Sequence, residues 1–401
     1  MFAYFPPDLP GGYVWNLAVN LALAMGAPIG EVDAACRPLL AAAQRGEKPT
    51  PPDLLAALEA RGDVLVELAA EDEAAGRALS AGAKLDRAAD LFITAERLQP
   101  AGPGPRQALY AKFLRVFARG LDLSRDPAVR VEVPYRDAHL SAIWRSALDA
   151  DGRPLTGPVP LLVLLNGLDS TKEMLYRTGP VEKLARRGVA TLSLDQPGTG
   201  EALRLHGMPA VPEAEQWASV VLDHLVADPA TLDLPQRPDA ERIGVAGVSL
   251  GGYYAPRAVA KDPRWALGVS WGANHDWRAV QQARRAEQGE RPVPHYWDHV
   301  QWVFGVDDID SFFEVAERMH LDGVLDGIRV PFLVTHGQHD RQIPLEMAHR
   351  TYDALVGSPD RELVVFTDRT GGTAHSSVDN GDVATDLIAD WVAERIGGTT
   401  K

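Results

Sequence analysis

Apolar positions recur along this chain with two different periods, and the change falls near residue 125. Before it the spacing is helical. The apolar stretch Val14 to Met25 predicts a buried helix. Thr50-Pro51-Pro52-Asp53 has the chemistry of a helix start: a hydroxyl at the N-cap, proline in the first turn and a carboxylate near the positive end. Leu54, Leu55, Leu58, Leu65 and Leu68 follow at roughly helical spacing. A second stripe of Ala81, Leu85, Ala88, Phe92 and Ala95 should end at Pro100, and Pro103 to Pro105 predict a break before Ala108, Tyr110, Phe113, Val116 and Phe117. No 34-residue period is sustained, so residues 1–125 are expected to form a helical accessory domain rather than a repeat array.

From Val129 the period shortens. Val129 to Val133 alternates, and His139 to Leu148 predicts a second strand, with turn residues in Asp149-Ala-Asp-Gly152. Leu161 to Leu165 is continuously apolar, as in a strand buried on both faces. Val189–Leu194, Arg242–Ala246, Ala266–Trp271, Pro331–Thr335 and Glu362–Phe366 extend the series. Helix-length segments separate them: Pro180–Arg187, Ala214–Leu225, Leu250–Ala260, Leu345–Leu355 and Asp382–Ile396. This alternation predicts an α/β domain over 126–401, a mostly parallel sheet with helices on both faces. Ligands in such a domain bind beyond the carboxyl ends of the strands.

Composition narrows the function classes. Of 401 residues 46% are hydrophobic, ample for a buried core, and the length suggests two units. Forty basic against 55 acidic residues give a formal charge of −15, which argues against nucleic acid or an anionic membrane as partner. Cys36 is the only cysteine, so no internal disulfide can form. The apolar N-terminal stretch lacks a preceding basic residue and is too short to span a bilayer, and a cytoplasmic location is expected. No metal or cofactor is expected, because His-Glu-x-x-His, paired-Cys and Walker motifs are all missing. Gly198-Thr-Gly200 lacks the full dinucleotide pattern, which disfavours a dehydrogenase.

The chemistry concentrates at strand ends. Gly247-Val-Ser249-Leu-Gly251 follows an apolar run and opens a helix, the context in which G-x-S-x-G lifts a serine hydroxyl off the sheet. Asp340 follows the Pro331 strand and His375 follows the Glu362 strand. A serine hydroxyl needs an imidazole to take its proton, and the imidazole needs a carboxylate to hold its tautomer. Ser249, Asp340 and His375 are therefore the predicted catalytic set. His336 and His339 flank the acid, and structural hydrogen bonding is their expected role rather than metal binding. The backbone N–H groups of Leu250, at a helix start, and Leu168, in the loop after Leu165, are the expected oxyanion donors, with Asp169 as the fallback for the second.

Four segments carry a resemblance. Asn166-Gly-Leu-Asp-Ser-Thr-Lys-Glu173, Asp195-Gln-Pro-Gly-Thr-Gly-Glu201, Gly247-Val-Ser-Leu-Gly-Gly-Tyr-Tyr254 and Trp271-Gly-Ala-Asn-His-Asp-Trp277 look like one branch of the α/β-hydrolases. That branch contains 2,6-dihydroxypseudooxynicotine hydrolase and the fungal hydrolases that shorten heptaketide naphthopyrones. The resemblance covers the carboxyl-terminal two-thirds and implies an α/β-hydrolase fold behind a helical N-terminal domain. It also implies hydrolysis of a carbon–carbon bond beside a ketone, with the triad on Ser249, Asp340 and His375 and the oxyanion donors on Leu168 and Leu250. Lys172 and Glu173 match the branch's pattern and are expected to support their loop through a salt bridge.

Residues of about 275–328 are too many for an ordinary connection and predict a lid insertion. Most of its aromatics, Trp277, Trp297, Trp302, Phe304, Phe312 and Phe313 among them, are expected to form its own core. His275, Asp276 and Tyr296, with Tyr253 after the nucleophile, are the expected substrate contacts. The expected partner is a small molecule, an aromatic ketone or ester, with a homodimer as the candidate assembly. Two other readings use the same residues: an ester or lactone hydrolase, and a non-catalytic interaction protein on a hydrolase scaffold.

Overall fold

The computed structural model describes residues 1–6, 9, 11–99, 103–227, 234–286, 291 and 293–399. The chain divides into one unit of Met1–Pro127 with Gly289–His299 and another of Ala128–Gln288 with Val300–Lys401.

The first unit is built on α1 (Gly12–Met25), α2 (Ile29–Gln44), α3 (Pro51–Ala74), α4 (Ala78–Glu96) and α5 (Pro103–Ser124). At the start of α3 the Asp53 carboxylate accepts both the N–H and the hydroxyl of Thr50 at 2.7 Å. Leu54, Leu58 and Leu65 of α3 and all five stripe residues of α4 are buried. Pro100, expected to end that stripe, lies outside the described residues. The expected break at Pro103 to Pro105 is instead the first turn of α5. First-turn residues need no N–H partner and suit a fixed φ, so prolines start this helix rather than interrupt it.

The second unit is an eight-stranded sheet of β1 (Val129–Tyr135), β2 (Ala138–Arg145), β3 (Val159–Leu165), β4 (Ala190–Leu194), β5 (Pro238–Val248), β6 (Leu267–Trp271), β7 (Phe332–Gly337) and β8 (Arg361–Phe366). Its order is β1-β2-β4-β3-β5-β6-β7-β8. The β1–β2 and β2–β4 pairs are antiparallel and every other pair is parallel. β3 and β4 are buried at every position, as a strand covered on both faces must be. Between strands run α6 (Lys172–Thr178), α7 (Val181–Arg186), α8 (Gly200–Arg204), α9 (Glu215–Leu225) and α10 (Gly251–Lys261). α11 (Trp277–Ala286), α12 (Tyr296–Phe304) and α13 (Ile309–Ala316) follow β6; α14 (Leu345–Ala354) follows β7 and α15 (Gly381–Ile396) follows β8. The short α6 and α8 have no counterpart in the apolar periodicity, since five to seven residues give it too little length to register.

The expected insertion is helical and its two ends are tied together. Asp276 bridges His320, Trp277 N–H donates to the Met319 carbonyl at 3.0 Å, and Leu321 N–H donates to the His275 carbonyl at 2.9 Å. Trp277, Phe304 and Phe312 pack with ring centroids 5.2–5.6 Å apart. The insertion is not one unit, however: Gly289–His299 groups with the N-terminal helices. No helix among the described residues is long and apolar enough to cross a membrane.

Candidate active site

Three loops at carboxyl ends of parallel strands bring the predicted side chains together. After β5 the chain turns sharply at Ser249, whose φ of 57° lies in the left-handed region that non-glycine residues rarely occupy. The turn is held by Ser249 N–H donating to the Trp271 carbonyl at 2.8 Å and Gly252 N–H donating to the Ser249 carbonyl at 2.8 Å. It closes only because its flanks are small: a Cβ on Gly247 would lie 2.0 Å from the Gly251 carbonyl oxygen. A backbone this strained beside a reactive side chain is typical of functional sites.

His375, in the loop after β8, places Nε2 2.8 Å from Ser249 Oγ and Nδ1 2.7 Å from Asp340 Oδ2. Asp340, in the turn after β7, is fully buried. Its other oxygen accepts the N–H groups of Gln342 at 2.7 Å and Ile343 at 3.0 Å. Burial is the largest influence on this carboxyl and pushes its pKa up, but the His375 imidazole, His336 and the Ile343 N–H together hold it below the usual carboxylate value. The His375 loop is fixed by Asp379, whose carboxylate accepts Thr373 N–H at 3.0 Å and Ala374 N–H at 2.8 Å. Asp379 escaped the sequence reading; an aspartate four residues after the histidine, beside two serines, is a capping pattern that could have flagged it.

The loop after β3 runs alongside. A Cβ on Gly167 would meet Ser249 Cβ at 3.2 Å and Oγ at 3.6 Å. Gly167 N–H is already bonded to Ser170 Oγ at 2.8 Å. The N–H groups of Leu168 and Leu250 have no hydrogen-bond partner among the described residues. Leu250 N–H stands just before α10, where the first-turn amides and the helix dipole favour negative charge.

His336 and His339 diverge. His336 is buried and Nε2 donates to the Ile343 carbonyl at 2.9 Å. Burial, the largest influence, lowers its pKa. His339 instead reaches the exposed Asp368 at 3.1 Å.

The four expected substrate contacts all have partners within the protein. Tyr253 is buried and its hydroxyl donates to the Pro212 carbonyl at 2.9 Å. His275 is buried with Nε2 3.1 Å from Asp322 and Nδ1 3.3 Å from Thr351 Oγ1. Asp276 accepts Ala279 N–H at 2.9 Å to cap α11 and pairs with Arg278 at 3.2 Å and Arg350 at 3.6 Å. Tyr296 is buried in the helical unit with its ring 5.1 Å from Trp297. Tertiary packing gives each of these groups an internal partner.

Beside the Gly167 loop lies a buried charge cluster. Lys172 Nζ contacts Glu173 at 2.5 Å, Asp195 at 3.1 Å and Glu201 at 2.5 Å. Arg130 grips Glu201 with both terminal nitrogens, at 2.5 and 2.9 Å. The three carboxylates are close enough to hold a cation, and the Lys172 ammonium occupies that position. Lys172 and Glu173 are thus salt-bridged to each other, and Lys172 also pairs with Asp195 and Glu201.

The chain has recognisable relatives. Residues 216–399 match the prolyl oligopeptidase family. Hydrolase acrC of Aspergillus aculeatus is 32% identical over 66% of this chain and 69% of its own length. The 2,6-dihydropseudooxynicotine hydrolase of Paenarthrobacter nicotinovorans is 31% identical over 65% of this chain and 68% of its own. The crystal structure of 2,6-dihydroxy-pseudo-oxynicotine hydrolase superposes with a TM-score of 0.72 at 25% identity, covering 94% of this chain and 95% of that one. With an eight-stranded sheet in this order, the strained turn after β5 and these relatives, the chain belongs to the α/β-hydrolase family.

Proposed function

We propose that this hydrolase works through Ser249 as nucleophile and cleaves a carbon–carbon bond beside a ketone in an aromatic or polyketide-like substrate. The observation that carries the reading is the continuous chain Ser249 Oγ, His375 Nε2, His375 Nδ1 and Asp340 Oδ2, with contacts of 2.8 and 2.7 Å. Asp340 fixes the imidazole with Nδ1 protonated, so Nε2 is free to accept the serine proton. Oγ then bonds to the ketone carbon, and the oxygen that gains the electron pair faces the Leu168 and Leu250 N–H groups. Collapse breaks the bond to the neighbouring carbon. Its electron pair leaves on an aryl or enol fragment able to spread the charge, and protonated His375 returns the proton to that fragment. Water, deprotonated by His375, attacks the acyl-serine and releases a carboxylic acid.

The preference for carbon as leaving group rests on the resemblance of residues 166–173 and 195–201 to the branch described above, and on the similarity to 2,6-dihydropseudooxynicotine hydrolase. Ester or lactone hydrolysis would use the same triad. A fluorophosphonate probe should label Ser249, and aromatic β-diketones should be turned over with acyl-enzyme accumulating on that residue. Turnover of aryl esters without any diketone cleavage would replace the proposal by the ester reading. Unchanged activity in Ser249→Ala would overturn both.

A further inference from the structure

The loop bearing the Leu168 N–H is held at both ends by a single carboxylate oxygen. Asp195 Oδ1 accepts Asn166 Nδ2 at 3.1 Å, where the loop leaves β3, and Lys172 N–H at 2.7 Å, where it enters α6. Oδ2 accepts Glu201 N–H at 2.9 Å and the Lys172 ammonium at 3.1 Å. Gln196, the next residue, grips Asn166 on its backbone. Its Oε1 accepts Asn166 N–H at 3.0 Å and its Nε2 donates to the Asn166 carbonyl at 2.9 Å. Inside the loop, Ser170 Oγ accepts Gly167 N–H and donates to Asn166 Oδ1, both at 2.8 Å. Every amide from Asn166 to Gly167 is thus committed, and the first one left for a ligand is Leu168.

Asp195 is completely buried. Four donors converge on it, two per oxygen, so only an ionised carboxylate satisfies them all. A carboxamide of the same shape would face two of them with its own NH2 group in either orientation. One flip orphans the two loop donors and the other orphans Glu201 N–H while setting an NH2 against an ammonium. Lys172 supplies the charge that permits an anion there, and Glu201 is in turn neutralised by Arg130. Catalysis by oxyanion donors depends on placement: they act at about 2.7–3.1 Å from the developing charge, and a displacement of about 1 Å can cost 10²-fold in rate.

We propose that Asp195 is a positioning residue of the reaction, its Lys172-clamped carboxylate setting where the Leu168 N–H stands relative to Ser249. This rests on the serine hydrolase reading above. Asp195 touches no substrate; it acts through Asn166 and Lys172. It should therefore govern stabilisation of the transition state and leave ground-state binding nearly unchanged.

The test uses the full chain and two variants, Asp195→Asn and Asn166→Ala, the second removing the side-chain links of Asn166 to Asp195, Leu194 and Ser170 while keeping its backbone bonds to Gln196. Fluorophosphonate labelling carried to completion counts functional serines, and turnover of an aryl ester or aromatic β-diketone is expressed per labelled serine. We expect kcat per labelled serine to fall by about 10- to 100-fold in Asp195→Asn with KM within about threefold, as loss of a transition-state interaction requires. Affinity for an aryl trifluoromethyl ketone, whose serine adduct carries an alkoxide, should fall by a matching factor. A purely structural role would lower the number of labelled serines and leave kcat per serine unchanged within about twofold. That result, or a change confined to KM, overturns the proposal. If Asp195→Asn does not fold, Asn166→Ala is judged by the same criteria. Absence of labelling in the unsubstituted chain, with turnover retained in Ser249→Ala, removes the serine reading itself and is recognisable before any variant is compared.

Discussion

Replacing Asp340 by asparagine should cost this hydrolase about four orders of magnitude in kcat while preserving its fold. Asp340 Oδ1 holds the Gln342 and Ile343 N–H groups at 2.7 and 3.0 Å, and Oδ2 faces His375 Nδ1 at 2.7 Å. Asparagine has one oxygen. Turned toward His375, it would leave two partly buried N–H donors facing an NH2 group, a penalty of up to about 1–3 kcal/mol for each unsatisfied donor. Turned toward the backbone, it satisfies both, and its NH2 then donates to His375 Nδ1. The second orientation wins. Nδ1 must then be unprotonated, the ring proton moves to Nε2, and that N–H points at Ser249 Oγ instead of accepting from it. Such a wrong-tautomer triad loses about 10⁴ in kcat, or about 5.4 kcal/mol at 1.36 kcal/mol per tenfold. Steady-state turnover of an aryl ester measures the loss, and nitrogen-detected imidazole resonances report which ring nitrogen carries the proton. A loss below about tenfold, or a proton remaining on Nδ1, would refute the reasoning. The lowered pKa of Asp340 also has a sign. Its contribution to stability is present above the ordinary carboxylate value and disappears as pH falls through the lowered one.

Two further outcomes test the surroundings. Lys172→Met removes the cation shared by the buried carboxylates Glu173, Asp195 and Glu201, of which Glu201 keeps Arg130, and should cost about 3–5 kcal/mol in urea or thermal unfolding. Burial already raises Asp195 to about 6, against the opposing pull of Lys172. A raised carboxyl favours folding at low pH and loses that contribution as pH rises through the raised value, so the deficit of the variant should be smaller at pH 5 than at pH 8. A deficit independent of pH would contradict this account. Asp276→Ala removes the cap of α11 and should cost about 1–2 kcal/mol with KM within about twofold; a tenfold rise in KM at unchanged melting temperature would restore Asp276 as a substrate contact.

Much of this molecule was legible from residue order. The eight segments from Val129 onward are the eight strands, with ends shifted by a few residues, because burial on one face leaves an alternating record, as in β1, and burial on both leaves a continuous one, as in β3 and β4. Ser249, Asp340 and His375 were legible because each directly follows such a run, and the positions beyond parallel strands converge in space. Leu168 and Leu250 also lie beyond strand ends, after β3 and β5.

Side-chain partnership was not legible. Tyr253 and His275 have the chemistry of ligand contacts, and their partners Pro212, Asp322 and Thr351 lie 41, 47 and 76 positions away. The Asp195 clamp was hidden in the same way, since its donors come from the segments around Asn166 and Glu201 and its counter-charge from Lys172 at the start of α6. Periodicity and turn chemistry are local, so the order of residues determined the strands, the sharp turn at Ser249 and the strand ends beyond which Asp340 and His375 lie. Which polar groups stay free for a substrate depends on desolvation and pairing across distant segments, and those energies exist only once the chain has folded.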